Sequence, residues 1–569
     1  MKKFNIKREK RKLWIRQHRS SIIKYGTVIL STMVLTVAAF YFSQASFNTK
    51  VTFDVIDARV APFVSGDVTI AAYIGDEKIS TFPERFNEYV IDNVSCTDTN
   101  GNNVEATYNK YTFKISVVTT KKTRCSVYFK EEAMPSASAP EVFDTLIPVK
   151  YEVSNGEVTY KVADTNNSNN DWYDYDEHKW ENAVLVNSTN KSKYTSANTT
   201  IDEADILQMY VWIPRYAYEL FNTDNGSVDE QMINVVFQSN TDTKYNGYQN
   251  GDLLTHPAFT FGGHELNGIW VGKFEPSYEG DGTGQANGIG YGVFYLRSCI
   301  NETCTNADNI RILPNVNPLR YEYLSNMYYT SRSLNRNENK YGLDITKVDS
   351  HMMKNMEWGA VAYLTNSIYG RYTSSSTCTS GGCEVWKNPY RTVEPMTFRT
   401  GCAGDMVWAS SQEICNQWYT TNGIHASTTD NIYGIYDMAG GSWEYVMGNM
   451  VDENGDFYQS SSYFSGNSTT EPKNPENKYY NSYAYDGTSK TTHNRGLLGD
   501  ATRETLKTYG SLSGGWYNDY SNFTYDKYSW FIRGGSYSDG DRSGIFSYTY
   551  GSGGVYELYY SFRIVLSSP

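Results

Sequence analysis

The chain closes on WFIRGGSYSDGDRSGIFSYTYGSGGVYELYYSFRIVL, residues Trp530 to Leu566. Its two ends read as strands. WFIRGGS (Trp530 to Ser536) and SFRIVL (Ser561 to Leu566) carry aromatic and β-branched residues, with Arg533 and Arg563 set among them. Between them tyrosine, serine, glycine and aspartate dominate. That mixture suits an exposed contact surface, because tyrosine gives contact area at low entropy cost while small residues let loops conform. Upstream stands YDMAGGSWEYV (Tyr436 to Val446), a glycine turn leading into an aromatic run with Trp443 as a core candidate.

The rest of the 569 residues share the bias, with 50 tyrosines against 24 phenylalanines. The aromatic share of 15% is enough to build a core, and the length predicts more than one folded unit. Residues 1 to 24 hold ten Lys/Arg and one acid, Glu9, and Tyr25 to Thr49 carry no charge. This pattern predicts a basic cytoplasmic tail (1–24) and a membrane-spanning signal-anchor (25–49). Its apolar heart, Gly26 to Phe42, exceeds the usual signal core of about 7–15 residues, which favours an uncleaved anchor; Ser43-Gln44-Ala45 offers the alternative, secretion after cleavage at Ala45. The chain beyond the tail carries 40 basic and 62 acidic residues, a balance of −22 that argues against nucleic acid as a partner.

Eight cysteines fall as sequence neighbours: Cys96 with Cys125, Cys299 with Cys304, Cys378 with Cys383 and Cys402 with Cys415. Beyond a membrane segment, such couples read as disulfides of an oxidising compartment. Zinc is disfavoured because no CxxC couple is present. Residues 51–130 alternate as in VTIAAYI (Val68 to Ile74) and predict a small β-sandwich, immunoglobulin-like, pinned by Cys96 and Cys125. Residues 131–143, EEAMPSASAPEVF, read as a linker, and 144–569 as one large domain. Within it MYVWIPRYAYEL (Met209 to Leu220) and GIWVGKFE (Gly268 to Glu275) look like core strands. Met356, Ala360, Tyr363 and Leu364 repeat at helical spacing behind an N-cap at Asp349 or Ser350.

In this order, YDMAGGSWEYV, WFIRGGS and SFRIVL resemble the C-terminal half of the formylglycine-generating-enzyme-like (sulfatase-modifying factor) branch of the C-type lectin fold, whose usual forms are roughly "YDMxGNVWEW" and "RGGSW…GFR". The resemblance is best from about Asn267 onward and fainter back to about Ile147. It implies an α+β domain with a helix packed across the sheet. Trp443, Arg533, Gly534, Gly535, Phe562 and Arg563 lie in the matched motifs and are expected to hold the scaffold.

Oxidase activity of that branch would imply a copper-binding cysteine pair near RGGS, yet no cysteine follows Cys415. An iron site of the related sulfoxide synthases would need grouped histidines. The seven here, at 18, 178, 256, 264, 351, 425 and 493, form no HxH or HxxxH couple. Related domains commonly hold structural calcium, and Asp437, Glu444 and Asn449 are the candidate ligands. Gly-Gly-Ser stands where the family tends to have Gly-Asn-Val, so one amide oxygen is missing. No other cofactor is expected.

The tyrosine-rich segment also resembles the ligand site of the variable proteins of diversity-generating retroelements. Tyr, Ser, Asp and Gly are all reached from an asparagine codon by changing adenines. Ordinary tyrosine-rich loops of a surface protein are the competing reading. The expected ligand-binding residues are Tyr537, Asp539, Asp541, Tyr548, Tyr550, Tyr556 and Tyr559. The chain is thus read as a non-catalytic bacterial surface protein held in the cell membrane and binding a protein or glycan. An oxidase of the resembled branch and a structural envelope or phage-associated protein are the alternatives.

Overall fold

In Val68–Ile74 the even-spaced Val68, Ile70 and Ala72 point inward, as period-two alternation requires. The computed structural model describes residues 49–54, 63–65, 68–86, 88–119, 121–279, 295–372, 383–391, 398–404, 414–457, 464, 474–485, 489–525 and 527–568. The membrane anchor read at 25–49 therefore lies outside the described residues up to 48. Thr49 opens a strand, Thr49–Asp54, and no helix among the described residues is long and apolar enough to cross a membrane.

The N-terminal strands form two sheets. One orders Thr49–Asp54, Lys114–Thr119 and Ala106–Tyr108; the other holds Val68–Ile74, Thr123–Glu131 and Tyr89–Asp98 as consecutive neighbours. Phe113, Ile115 and Val117 meet Val68, Ile70, Val127 and Phe129 in one buried cluster. The Cys96–Cys125 disulfide joins register partners on adjacent strands of the same sheet. It does not bridge the layers as the disulfide of an immunoglobulin domain does. Val68–Ile74 also runs parallel to Thr123–Glu131.

From Leu146 onward an eight-stranded sheet takes shape. Its centre is Asn182–Val186, Ile206–Pro214, Gly268–Gly272 and Ile564–Ser567, with Asp349–Met352 at one edge. Ile206–Pro214 is buried at every position, so it reads as a continuous apolar run rather than an alternating one. Among the described residues only two α-helices occur, Leu324–Arg332 and Asn355–Thr365, and the body is mostly β. The second helix lies where helical spacing placed it, but its N-cap is Lys354, not Asp349 or Ser350. Asp349–Ser350 are spent in the edge strand paired with Ile564–Ser567, and the Glu357 carboxylate caps the Lys354 N–H instead, at 2.8 Å.

A second sheet, of five strands, carries the C-terminal segment. Trp443–Val451 is its hub: Trp530–Gly534 pairs antiparallel with it, Tyr560–Phe562 and Asn481–Ala484 pair parallel, and Gly544–Tyr550 lies outside Trp530–Gly534. SFRIVL is therefore not one strand. Tyr560–Phe562 belongs to this sheet and Ile564–Ser567 to the eight-stranded one, with Arg563 at the crossing.

Candidate functional site

Arg563 is fully buried at that crossing. It binds the Glu444 carboxylate through two nitrogens, Nε at 2.9 Å and Nη2, and donates to the carbonyls of Gly272 (2.7 Å) and Tyr436 (3.0 Å). A planar guanidinium can satisfy this many acceptors at once, which an ammonium cannot do in the same plane. Arg533, also fully buried, donates to Asn355 Oδ1 and to the carbonyls of Asp500 and Ala501. Trp443 and Phe562 are buried too. These residues fix the strands from which two loops rise.

The first loop, 535–543, turns at Gly534 and Gly535, both at positive φ. A Cβ on Gly535 would stand 2.5 Å from Ser543 Cα, so only glycine fits. Asp539 Oδ2 then accepts from Ser536 N and Oγ, at 2.8 and 2.6 Å, and Ser543 Oγ closes back on Ser536 O. The second loop, 551–559, is tied by Gly551 N to Trp530 O, Tyr445 Oη to Val555 O, and Leu324 N to Gly554 O. Buried Arg320 adds a bond to Leu558 O.

On this frame Tyr537 stands half-buried. Arg391 lies over its ring at 4.7 Å and donates to its hydroxyl at 2.7 Å, while Phe398 meets its edge at 4.9 Å. Arg320 in turn lies over Phe398, linking Tyr537 to the second loop. Tyr556 packs edge-on against Tyr321 (4.5 Å) and Tyr323 (5.0 Å). Tyr559 is 38% exposed; partial burial raises its pKa, with help from the nearby charges of Glu557, Tyr537 and Asp539. Asp541 is exposed beside Arg542, whose guanidinium lies 5.4 Å over Tyr520. Tyr537, Asp539, Asp541, Tyr556 and Tyr559 thus stand at or near the surface on the two loops.

Two predicted residues depart from that grouping. Tyr548 is fully buried: its ring lies beneath Arg533 and against Phe531, Phe523 and His493, and its hydroxyl reaches Thr502 O at 3.3 Å. Residues 489–525 cover that face of Gly544–Tyr550, so Tyr548 is core and not a ligand anchor. Tyr550 belongs to a separate half-buried cluster, stacked on Tyr528 with Tyr525 at right angles and Lys490 4.3 Å above.

Of the calcium candidates, Asp437 and Glu444 are near neighbours, burial and the charge of Asp437 both raising the pKa of Glu444, but each is engaged by other protein groups. Glu444 is taken by Arg563, and Asp437 accepts from Asn388 Nδ2 (2.8 Å) and Gly401 N (2.9 Å). Asn449 is five positions along the hub strand from Glu444, roughly 15 Å away in extended chain. Among the described residues no three His, Cys, Asp or Glu side chains group as metal ligands. His256 bonds Gly499 O, His425 Asp430, and His493 Ser521 O. His351 has both ring nitrogens on carboxylates, Asp349 at 2.8 Å and Glu357 at 3.0 Å. The disulfides Cys299–Cys304 and Cys402–Cys415 are formed and Cys383 is bonded; its expected partner Cys378 lies outside the described residues.

Sequence reading missed Tyr321, Tyr323, Arg391, Phe398 and Tyr520. They come from three other parts of the chain, and none sits in a periodic or motif-bearing stretch. Tyr321 has φ +64°, rare for a bulky residue, and no local sequence signal announces it.

No protein-family model matches the chain, and no curated protein matches it. Solved structures similar to it include Treponema denticola variable protein 1, at 13% identity over 63% of this chain and 96% of that one, with a TM-score of 0.21. A Major Tropism Determinant I1 variant is similar at 10% identity over 87% of this chain and 90% of that one, with a TM-score of 0.24. At such scores the fold of this chain rests on its own sheets.

Proposed function

We propose that the chain is a non-catalytic binding protein of the bacterial surface, with a C-type-lectin-like body akin to the formylglycine-generating-enzyme-like branch and to retroelement variable proteins. Its organisation in this reading is a basic tail (1–24), a membrane anchor (25–49), a β-sandwich module (51–130), a connecting segment (131–143) and the binding body (144–569). The ligand is a protein or a glycan, held by ring contact and hydroxyl hydrogen bonds.

One observation carries this reading. Loops 535–543 and 551–559 are tied to buried strands on both sides, while Tyr537, Tyr556 and Tyr559 keep part of their rings outside and Asp541 is exposed. A rigid aromatic surface loses little entropy on binding, which is the physical advantage of tyrosine in a paratope.

The test is a glycan array and a panel of intact cells probed with the full chain. Tyr537→Ala, Tyr556→Ala and Tyr559→Ala should each weaken a binder so found by about 30-fold or more while circular dichroism shows the fold retained. Tyr548→Phe, inside the core, should leave binding as it was. Neutral substitutions at all three surface tyrosines would refute the reading and favour a structural envelope protein; stoichiometric copper or iron with turnover would favour the oxidase. A near-copy of the DNA encoding Trp530 to Leu566, differing at adenines and beside a reverse transcriptase, would establish the retroelement link.

A further inference from the structure

The short sheet Tyr216–Glu219, Val235–Phe237 and Leu253–Thr255 is apolar on both faces. Tyr216, Tyr218, Val235 and Phe237 face the body's core, as alternation demands, so Ala217, Val236 and Leu253 face the other way. Yet these three are also buried, at 0–2% exposure. The N-terminal module covers them: Phe86 and Tyr111 pack there, joined by Met134 from the connecting segment and Tyr245 from the body.

Charge pairs flank this apolar contact. Arg85 pairs with Glu219, whose other oxygen accepts from Asn234 Nδ2 at 2.7 Å, and Lys114 Nζ meets Asp252 Oδ1 at 2.6 Å. Both pairs are largely withdrawn from water, with side-chain exposures of 22% and 10% for the first and 13% and 18% for the second. Phe86 sits at φ +53°, a costly conformation for a bulky residue that the contact must hold in place. The connecting segment is bound down as well. Ser138 Oγ donates to Gln238 O (3.0 Å), Trp270 Nε1 to Glu141 O (2.7 Å) and Asn267 Nδ2 to Glu141 Oε1 (3.0 Å), and Phe143 is buried in the body.

We infer that the small β module is a fixed arm docked on the body through the outer face of this sheet, and not a spacer swinging on residues 131–143. The body's tyrosine surface and the chain's N-terminal strand then keep one relative orientation. This does not depend on what the tyrosines bind.

Residues 131–143 carry three sites for a glutamyl endopeptidase, Glu131, Glu132 and Glu141. In the full chain they should resist cleavage. Arg85→Glu with Lys114→Glu opposes like charges across the contact and should speed cutting in the segment by about tenfold or more, since proteolysis follows the population of the open form. Adding Glu219→Arg and Asp252→Lys restores both pairs with reversed sense and should restore resistance. Ala217→Glu, which puts a carboxylate into the apolar contact, gives an independent opening. Circular dichroism checks that each variant remains folded. Cutting of the unaltered chain at the rate of the charge-reversed one, or a charge reversal and an Ala217→Glu variant that stay resistant, would overturn the inference.

Discussion

Replacing Arg563 by methionine removes side-chain bonds that tie the five-stranded sheet to the eight-stranded one at their crossing. Both Arg563 and Glu444 have fully buried side chains, so Arg563→Met leaves the carboxylate without its counter-charge in the interior. Breaking a buried pair from one side costs about 3–5 kcal/mol. The carbonyls of Gly272 and Tyr436 lose a donor as well, at about 1 kcal/mol each. The sum is roughly 5–7 kcal/mol. Unfolding entropy of about 2.1 cal/mol/K per residue, over a body of roughly 430 residues, gives about 0.9 kcal/mol per degree, so melting should fall by about 6–8 °C. Scanning calorimetry on the full chain measures it, and hydrogen exchange should show loop 551–559 loosening, because its strand Tyr560–Phe562 leads directly into Arg563. Glu444→Gln in the same background removes the stranded charge. The double variant should therefore be more stable than the sum of the two single losses by about 2 kcal/mol. An Arg563→Met chain melting within about 1 °C of the parent, or strict additivity in the cycle, would refute this account of the crossing.

Two further outcomes concern buried groups. His351 donates from both ring nitrogens to carboxylates; burial opposes its charge, but Glu357 and Asp349 outweigh burial and raise its pKa from 6.5. Burial likewise opposes ionisation of Asp349 and Glu357, yet the bonds and charges of His351, Arg332 and Lys354 bring both down to about 2. The histidine's contribution is fully present below about pH 6.5 and is lost as pH rises through its raised value. That of the acids is present above about pH 4.5 and lost as pH falls toward 2. His351→Asn should therefore cost more at pH 5 than at pH 9, and an equal drop in melting temperature at both would count against the paired imidazolium. Gly535→Ala should cost about 2 kcal/mol or more, since its φ of +78° and the 2.5 Å approach to Ser543 Cα both exclude a methyl. Tryptic cutting after Arg542 reports the loosened loop, and parental resistance there would contradict the geometry.

Some of this protein was legible because it is local. Alternation in Val68–Ile74, the apolar run at 206–214, the helical spacing from Met356 to Leu364 and three of the four cysteine couples each depend on residues near in sequence, and each appears as a strand, a helix or a bond. Asp349 reads as a cap in the sequence, and wrongly, because capping propensity says nothing of a distant Ile564–Ser567 that claims it for a sheet edge.

Composition alone determined that the C-terminal segment is rich in tyrosine, and motif order determined that it begins and ends in strand-forming sequence carrying Arg533 and Arg563; that both arginines are buried, and that Arg563 sits between two strands, the tertiary structure decided. Which tyrosines remain outside was decided only in three dimensions. Tyr548 and Tyr550 are two residues apart on one face of one strand, yet the first is sealed beneath Phe523, His493 and Thr502 while the second is half-open beside Lys490 and Tyr525. A strand's own pattern fixes which side a ring leaves by; what lies on that side is set by chain that returns from elsewhere, and burial depends on that.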